Sequence, residues 1–162
     1  MRFEIAGEAQ YERGFQAMDE ELRDLREPLE GVARLLTRSV GEQFGSEGSH
    51  GGTPWQPLSP AYAAEKEERY PGHPILVASG EMRRAFLADG TRELTAHRLV
   101  WGVTDQRDSD GDQIAIRAAA HQSGEGVVPQ RKIVALTLAD RRDIDREFAS
   151  FLTYMRRRLL PA

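Results

Sequence analysis

The chain has 162 residues, the ordinary length of one domain, and 40% hydrophobic with 30% charged residues is typical of a folded globular protein. The formal net charge is -4. A dedicated nucleic-acid-binding protein usually carries an excess of basic residues, because phosphate neutralisation supplies most of its affinity. The absence of cysteine excludes disulfides and thiolate chemistry, and no apolar run approaches the length of a membrane span.

The first part of the chain is predicted to be mainly helical. Residues 2–6 alternate polar and apolar side chains and predict a short strand. Apolar residues then recur at steps of three and four over residues 11–44, which predicts a helix. Proline removes a main-chain donor, so Pro28 predicts a kink or break near residues 26–27. The apolar stripe favours packing on a sheet, with a coiled coil as the alternative.

The middle of the chain begins with a glycine-rich loop. Residues 45–57 hold four glycines and no hydrophobic periodicity, and loops of this length are commonly functional. Ser59 followed by Pro60 predicts the start of a short helix that ends near residue 68. The next predicted elements are a turn at 70–74, an extended segment at 75–77 and a helix at 79–87 with Met82 and Phe86 inward.

The last part is predicted to contain strands and a long helix. Residues 93–104 and 113–120 alternate apolar and polar side chains, which predicts an antiparallel hairpin with a polar tip at 105–112. A glycine-bearing loop at 122–129 and a short strand at 133–136 follow. Thr137 and Asp140 have the spacing of a capping box, which predicts a helix to about Leu160.

This order of elements predicts one α+β domain over residues 1–162, with an extended loop at 45–57. A long kinked N-terminal helix and a C-terminal helix are expected to pack on a small antiparallel sheet.

Catalytic, cofactor and metal motifs are missing from the sequence. The four histidines lack the spacing of a metal motif, and the acidic run at 108–112 has Gln106 and Arg117 where a calcium loop needs acidic ligands. The glycines of the 45–57 loop follow a helix and precede no G-K-[ST]. We therefore expect no enzymatic activity, no cofactor and no metal.

Charge is divided between the two ends of the chain. Residues 1–30 hold four Arg against nine Asp or Glu, whereas residues 131–162 hold eight Arg or Lys against four Asp or Glu. Opposed potentials can set the register of neighbouring copies, and two solvated helices with unrelated surfaces are the alternative. The candidate interface residues at these ends are Glu20, Glu21, Asp24, Arg141, Arg142 and Arg146.

Four short motifs occur in order along the middle of the chain: W-Q-P-L-S at 55–59, I-L-V-A-S-G-E-M at 75–82, A-A-H-Q-S-G at 119–124 and P-Q-R at 129–131. In this order and spacing, over roughly residues 44–140, they resemble the phage virion morphogenesis family, which includes tail-completion proteins of tailed phages. Two departures are an alanine (Ala118 or Ala119) where the family often has tyrosine, and I-V-A-L at 133–136 in place of an aromatic residue and glycine.

The resemblance implies a non-enzymatic structural subunit of the phage head–tail connector, made in the bacterial host cytoplasm and retained in the virion. Its partners would be further copies of itself in a ring, expected to be a hexamer, and other neck and tail proteins. DNA in the ring lumen is a further candidate partner, and no membrane is expected. The alternative is a nucleic-acid-contacting virion or assembly protein that uses the Arg-rich C-terminal helix.

Interface residues are also expected on the motif loops. Trp55 could anchor a neighbouring subunit, because aromatic residues on loops are common interface anchors, or it could lie in its own core. The candidates on these loops are Trp55, Pro57, Leu58, Gln122, Gly124, Pro129 and Arg131.

Overall fold

The computed structural model describes residues 8–88, 90–104 and 106–160, which form six α-helices and one two-stranded antiparallel sheet. The helices are α1 (Glu8–Glu21), α2 (Arg26–Gly45), α3 (Pro60–Arg69), α4 (Glu81–Leu87), α5 (Ile114–Ser123) and α6 (Leu138–Leu159). The strands are β1 (Thr91–Leu94) and β2 (Leu99–Trp101). This is the predicted α+β class. The strand predicted at 2–6 lies outside the described residues.

The predicted break in the N-terminal helix is confirmed, because α1 and α2 are separate helices. Pro28 lies in the first turn of α2, where a main-chain N–H would have no partner within the helix. The apolar stripe of α2 packs against both strands, α4 and α6, whereas α6 packs against α1 and α2. Of the two terminal helical segments, α2 therefore makes the contact with the sheet.

The hydrophobic core lies around the C-terminal end of α2. The Phe44 and Trp55 rings pack nearly at right angles, 5.6 Å apart between centroids, and Phe86 of α4 packs 5.8 Å from Trp101. Ile114 of α5 is buried in the same cluster. Aromatic rings contribute large buried areas, so these four rings supply much of the core.

Two predicted strands have a different structure. The segment 93–104 is a strand at residues 99–101, but it contains a reversal at residues 95–98, where the Thr95 N–H donates to the Arg98 carbonyl at 2.8 Å. The hairpin therefore consists of residues 91–101. The segment 113–120 is helical, as α5. Ile114 and Ala118, one helical turn apart, are buried, whereas Ile116 is 64% exposed. The run of alanines in α5 favours a helix, and this propensity outweighed the apparent alternation.

Two short extended predictions were also wrong. Residues 75–77 form a turn in which Leu76 has a φ of +60°. Residues 133–136 are irregular, because the N–H groups of Ile133 and Val134 donate to a side chain instead of a neighbouring strand.

The predicted helix starts are confirmed for α3 and α6. The Ser59 hydroxyl accepts from the Tyr62 N–H at 3.4 Å, and Thr137 forms a capping box with Asp140. α4 begins two residues later than predicted and buries Met82 and Phe86 as expected. Within the described ranges, every helix is too short or too polar to cross a membrane.

Candidate interface site

Three of the sequence motifs converge on one junction inside the subunit. The Trp55 indole is 5% exposed, and its Nε1–H donates to the Lys132 carbonyl at 2.9 Å. The ring therefore joins the 45–57 loop to the segment after the P-Q-R motif. Trp55 is a core residue of the subunit, which was the alternative that the sequence left open, and it offers no free surface as an anchor.

The Gln122 side chain holds the same segment to α5. Its oxygen accepts from the N–H groups of Ile133 and Val134 at 2.8 and 2.9 Å, and its amide donates to the Val134 carbonyl at 2.9 Å. These three bonds satisfy main-chain groups that no strand satisfies. Gln122 thus has a structural role within the subunit.

Gln43, which the sequence analysis missed, makes the corresponding link from α2. It is 1% exposed, donates to the Lys132 carbonyl at 2.7 Å and accepts from the Gly51 N–H at 2.7 Å. The sequence signal for this role was its position between Val40 and Phe44 on the apolar stripe. A glutamine on a buried helix face needs hydrogen-bond partners inside the protein.

Gly124 ends α5 in the left-handed region, with a φ of +76°. A Cβ at this position would lie 2.8 Å from Cβ of Gln130. The segment at Gln130 can therefore come this close to the end of α5 only because residue 124 is a glycine. Gly124 therefore shapes the loop that leads to Arg131.

Arg131 connects the P-Q-R motif to the W-Q-P-L-S loop. Its guanidinium donates to the carbonyls of Gln56 and Pro57 at 2.8 and 3.1 Å, and its main-chain N–H donates to the His121 carbonyl at 2.7 Å. The side chain is 5% exposed, and this burial lowers the pKa of the guanidinium.

A surface groove runs beside this junction, between the start of α3 and residues 127–131. It encloses about 610 Å³. Val127 on its rim is fully exposed and Tyr62 is 50% exposed. The predicted interface residues that share this groove are Pro57, Leu58, Pro129 and Arg131. The fold thus brings together on one surface four candidates that the sequence placed on two separate loops.

The charged ends of the chain lie side by side in the subunit, since α1 packs on α6. Glu21 pairs with Arg158 of α6, Asp24 pairs with Arg26, and Arg146 pairs with Asp143. The hydrogen bonds from Arg26 lower the pKa of Asp24 to about 2. Three of the predicted interface charges therefore have partners within their own chain.

The remaining charged candidates, Glu20, Arg141 and Arg142, are exposed. Helix α6 carries six Arg against four acidic residues, a net of +2. The acidic residues lie at positions 140–147, in the first half of α6, whereas its last turn holds Arg156, Arg157 and Arg158. Of these three arginines, Arg158 pairs with Glu21.

A buried polar cluster attaches the 45–57 loop to α6. Asp140 is 3% exposed and accepts from Ser39 at 3.1 Å and from the Thr137 N–H and hydroxyl at 2.8 Å each. His50 Nε2 lies 3.1 Å from the same carboxylate. Burial raises the pKa of Asp140, but the hydrogen bonds from Thr137, His50 and Ser39 outweigh it and hold the pKa below its usual value.

The cluster also contains a second carboxylate, because His50 Nδ1 lies 3.1 Å from Glu42 Oε2. In the part of the chain that the structure describes, no three His, Cys, Asp or Glu side chains are grouped as metal ligands would be.

A sequence profile of the phage virion morphogenesis family matches residues 8–160. The match includes α1 and α6, and so extends beyond the 44–140 region that contains the motifs. No curated protein and no solved structure is significantly similar to the chain.

Proposed function

Because the chain belongs to the phage virion morphogenesis family, we propose that it is a structural subunit of the head–tail connector, forming a neck or tail-completion ring. A role in building the phage particle follows from the family. The family match over nearly the whole chain is the observation that carries the proposal. In this role the subunit acts by binding its neighbours in the virion, and the proposal assigns it no catalytic step.

The distribution of charge supports a ring of identical subunits. Helix α1 carries five acidic residues against one Arg, a net of -4, which equals the formal net charge of the whole chain. A ring uses heterologous contacts, in which one surface binds a different surface of the next copy. An acidic helix at one place and a cation-bearing groove at another provide two such surfaces. The hexameric ring size remains a prediction.

The groove beside the motif junction is the proposed contact surface for neighbouring connector proteins. The groove has contiguous apolar area, supplied by Pro57, Leu58, Tyr62 and Val127. Among these residues, Val127 is fully exposed. Contiguous exposed apolar area is typical of protein interaction sites. Trp55 supports this surface from inside the subunit by holding the loop in place.

The proposal is tested by locating the protein in the particle. Cryo-electron microscopy of the virion should show its density as a closed ring between the portal end of the head and the tail. Particles assembled without the protein should accumulate as filled heads and separate tails. Density elsewhere in the particle, or normally joined heads and tails in its absence, would refute the connector assignment.

The groove can be tested in the same system by complementation. Val127→Asp should reduce the yield of joined particles, because a charge on the groove rim interferes with an apolar contact. Ile116→Asp is the matched control, since Ile116 is 64% exposed on α5 and does not line the groove. Equal yields from both variants would remove the groove from the proposed interface.

A further inference from the structure

Residues 58–72, which contain α3, lie apart from the other helices and strands. The main chain of α3 packs against none of those elements among the described residues. Nine of the ten residues of α3 are exposed, and Lys66 is the buried one. Most helices in proteins are stabilised by packing an apolar face, and an isolated helix shorter than about 12 residues is marginal in water. Tertiary packing therefore contributes little to the stability of α3.

The hydrogen bonds of residues 58–72, which we call the arm, stay within the arm and the two residues after it. The Glu67 carboxylate accepts from the Gly72 N–H at 3.1 Å. Lys66 donates to two carbonyls of the turn after α3, at 2.8 Å to that of Pro74. Among the described residues, no hydrogen bond or ion pair joins the arm to the rest of the subunit, which we call the body.

The chain is fixed to the body just outside both ends of the arm. Before the arm, Arg131 donates to the carbonyls of Gln56 and Pro57 at 2.8 and 3.1 Å. After the arm, the Glu47 carboxylate accepts from the Ile75 N–H at 2.6 Å. Because none of these groups belongs to the arm, the arm can unfold without breaking the bonds that fix its two ends.

An open cavity of about 320 Å³ lies between the arm and the body. Tyr62 and Tyr70 line it from the arm. Met82 of α4 and His121 of α5 line it from the body. Side chains beside a cavity lack packing partners on that side. Unfolding of the arm therefore removes little packing from the body.

We propose that the arm folds and unfolds as a unit of its own while the body stays folded. Leu58, Ser59 and Tyr62 of the arm form one wall of the groove beside the motif junction, and residues 127–131 of the body form the other. The groove therefore has both walls only while the arm is folded. A partner that binds both walls selects the folded arm, so that assembly orders it. Only this last step rests on the proposed function, because it uses the groove as a contact surface.

Amide hydrogen exchange of the full-length subunit tests whether the arm unfolds by itself. Helix α4 is the internal control, because it has seven residues, fewer than α3, yet it packs on α2 and α5 and buries Met82, Ala85 and Phe86. The hydrogen-bonded amides of α3 should exchange more than about tenfold faster than those of α4, since packing and not helix length sets the free energy of local opening. They should also share one free energy of opening, because they open together.

Two alanine-to-glycine substitutions then separate an independent arm from a part of the body. Ala64 is exposed in the interior of α3 and lines neither the groove nor the cavity. Ala64→Gly should increase the exchange rate of all hydrogen-bonded α3 amides about fivefold, the cost of glycine in an exposed helix. Ala149→Gly is the matched control, because Ala149 is exposed in the interior of α6, which packs on α1 and α2.

Urea denaturation followed by tryptophan fluorescence reports on the body, because the two tryptophans, Trp55 and Trp101, lie in or against the core. Ala149→Gly should lower the urea midpoint. Ala64→Gly should leave it unchanged, because an independent arm is already unfolded at the urea concentration at which the body unfolds.

The proposal is overturned if α3 and α4 exchange at similar rates, or if Ala64→Gly lowers the urea midpoint as much as Ala149→Gly. Either result would make the arm part of one cooperative unit with the body. The exchange comparison uses the unmodified chain, so it decides the matter even if a variant is poorly folded. Both measurements use the isolated subunit, and their outcome is therefore independent of whether the particle contains a ring at the head–tail junction.

Discussion

Replacing Gln122 with leucine should show that the motif residues fold the subunit. Leucine has a similar size but leaves the N–H groups of Ile133 and Val134 and the Val134 carbonyl without their partner. A buried group left unsatisfied costs about 1–3 kcal/mol. Ile133 is 1% exposed and Val134 is only partly buried, so water can replace part of the loss. The free energy of unfolding should fall by about 3 kcal/mol, which lowers Tm by about 6–12 °C.

Urea denaturation followed by far-UV circular dichroism measures this change. Gln130→Leu is the matched control, because Gln130 is exposed and donates to the Gln122 carbonyl at 3.1 Å. Its effect should stay within about 0.5 kcal/mol. If Gln122→Leu is as stable as the control, the side-chain clamp does not hold residues 133–134. Gln122 would then be free to act at an interface, as the sequence suggested.

Three further changes test other parts of the fold. Trp55→Ala should lower the free energy of unfolding by about 3–5 kcal/mol, because the indole lies in the core; an unchanged urea midpoint would contradict that placement. Asp140→Asn should reduce stability at neutral pH. Because the folded-state pKa of Asp140 is lowered, its charged form stabilises the protein above the unfolded-state pKa of about 4, and this contribution is lost as pH falls through the folded-state pKa. The free energy of unfolding, measured from pH 6 downwards, should therefore fall more steeply below about pH 4 for the wild type than for the variant. Parallel curves would refute the account. Gly14→Ala places a Cβ 2.5 Å from the Leu159 carbonyl oxygen and should speed amide hydrogen exchange in α1, whereas unchanged exchange would mean that α6 adjusts.

Local signals in the sequence were sufficient for the helix ends and the fold class. Ser59 with Pro60 and Thr137 with Asp140 predicted the starts of α3 and α6, because capping depends on residues within one turn. Pro28 predicted the division between α1 and α2 for the same reason. The order of the motifs also predicted the family, which the profile match over residues 8–160 confirms.

Hydrophobic alternation was less reliable over short segments. In α5 it indicated a strand, although Ile114 and Ala118 have helical spacing as well. A segment of eight residues fits both the two-residue period of a strand and the 3.6-residue period of a helix. The packing of α5 against α4 decides between them. At residues 133–136 the alternative partner of the main chain was a glutamine side chain eleven residues earlier, which no local pattern shows.

The sequence by itself determined the composition of the surfaces: an acidic α1, a basic end of α6 and four motifs in order. Only the tertiary structure decided which side chains remain available to a partner. It buried Trp55, engaged Gln122 inside the subunit, paired Glu21 with Arg158 and placed Lys66 beside Arg131 in one cavity. The physical reason is that burial and pairing depend on contacts between residues far apart in the chain, such as the 77 positions between Trp55 and Lys132, and these form only when the whole chain folds.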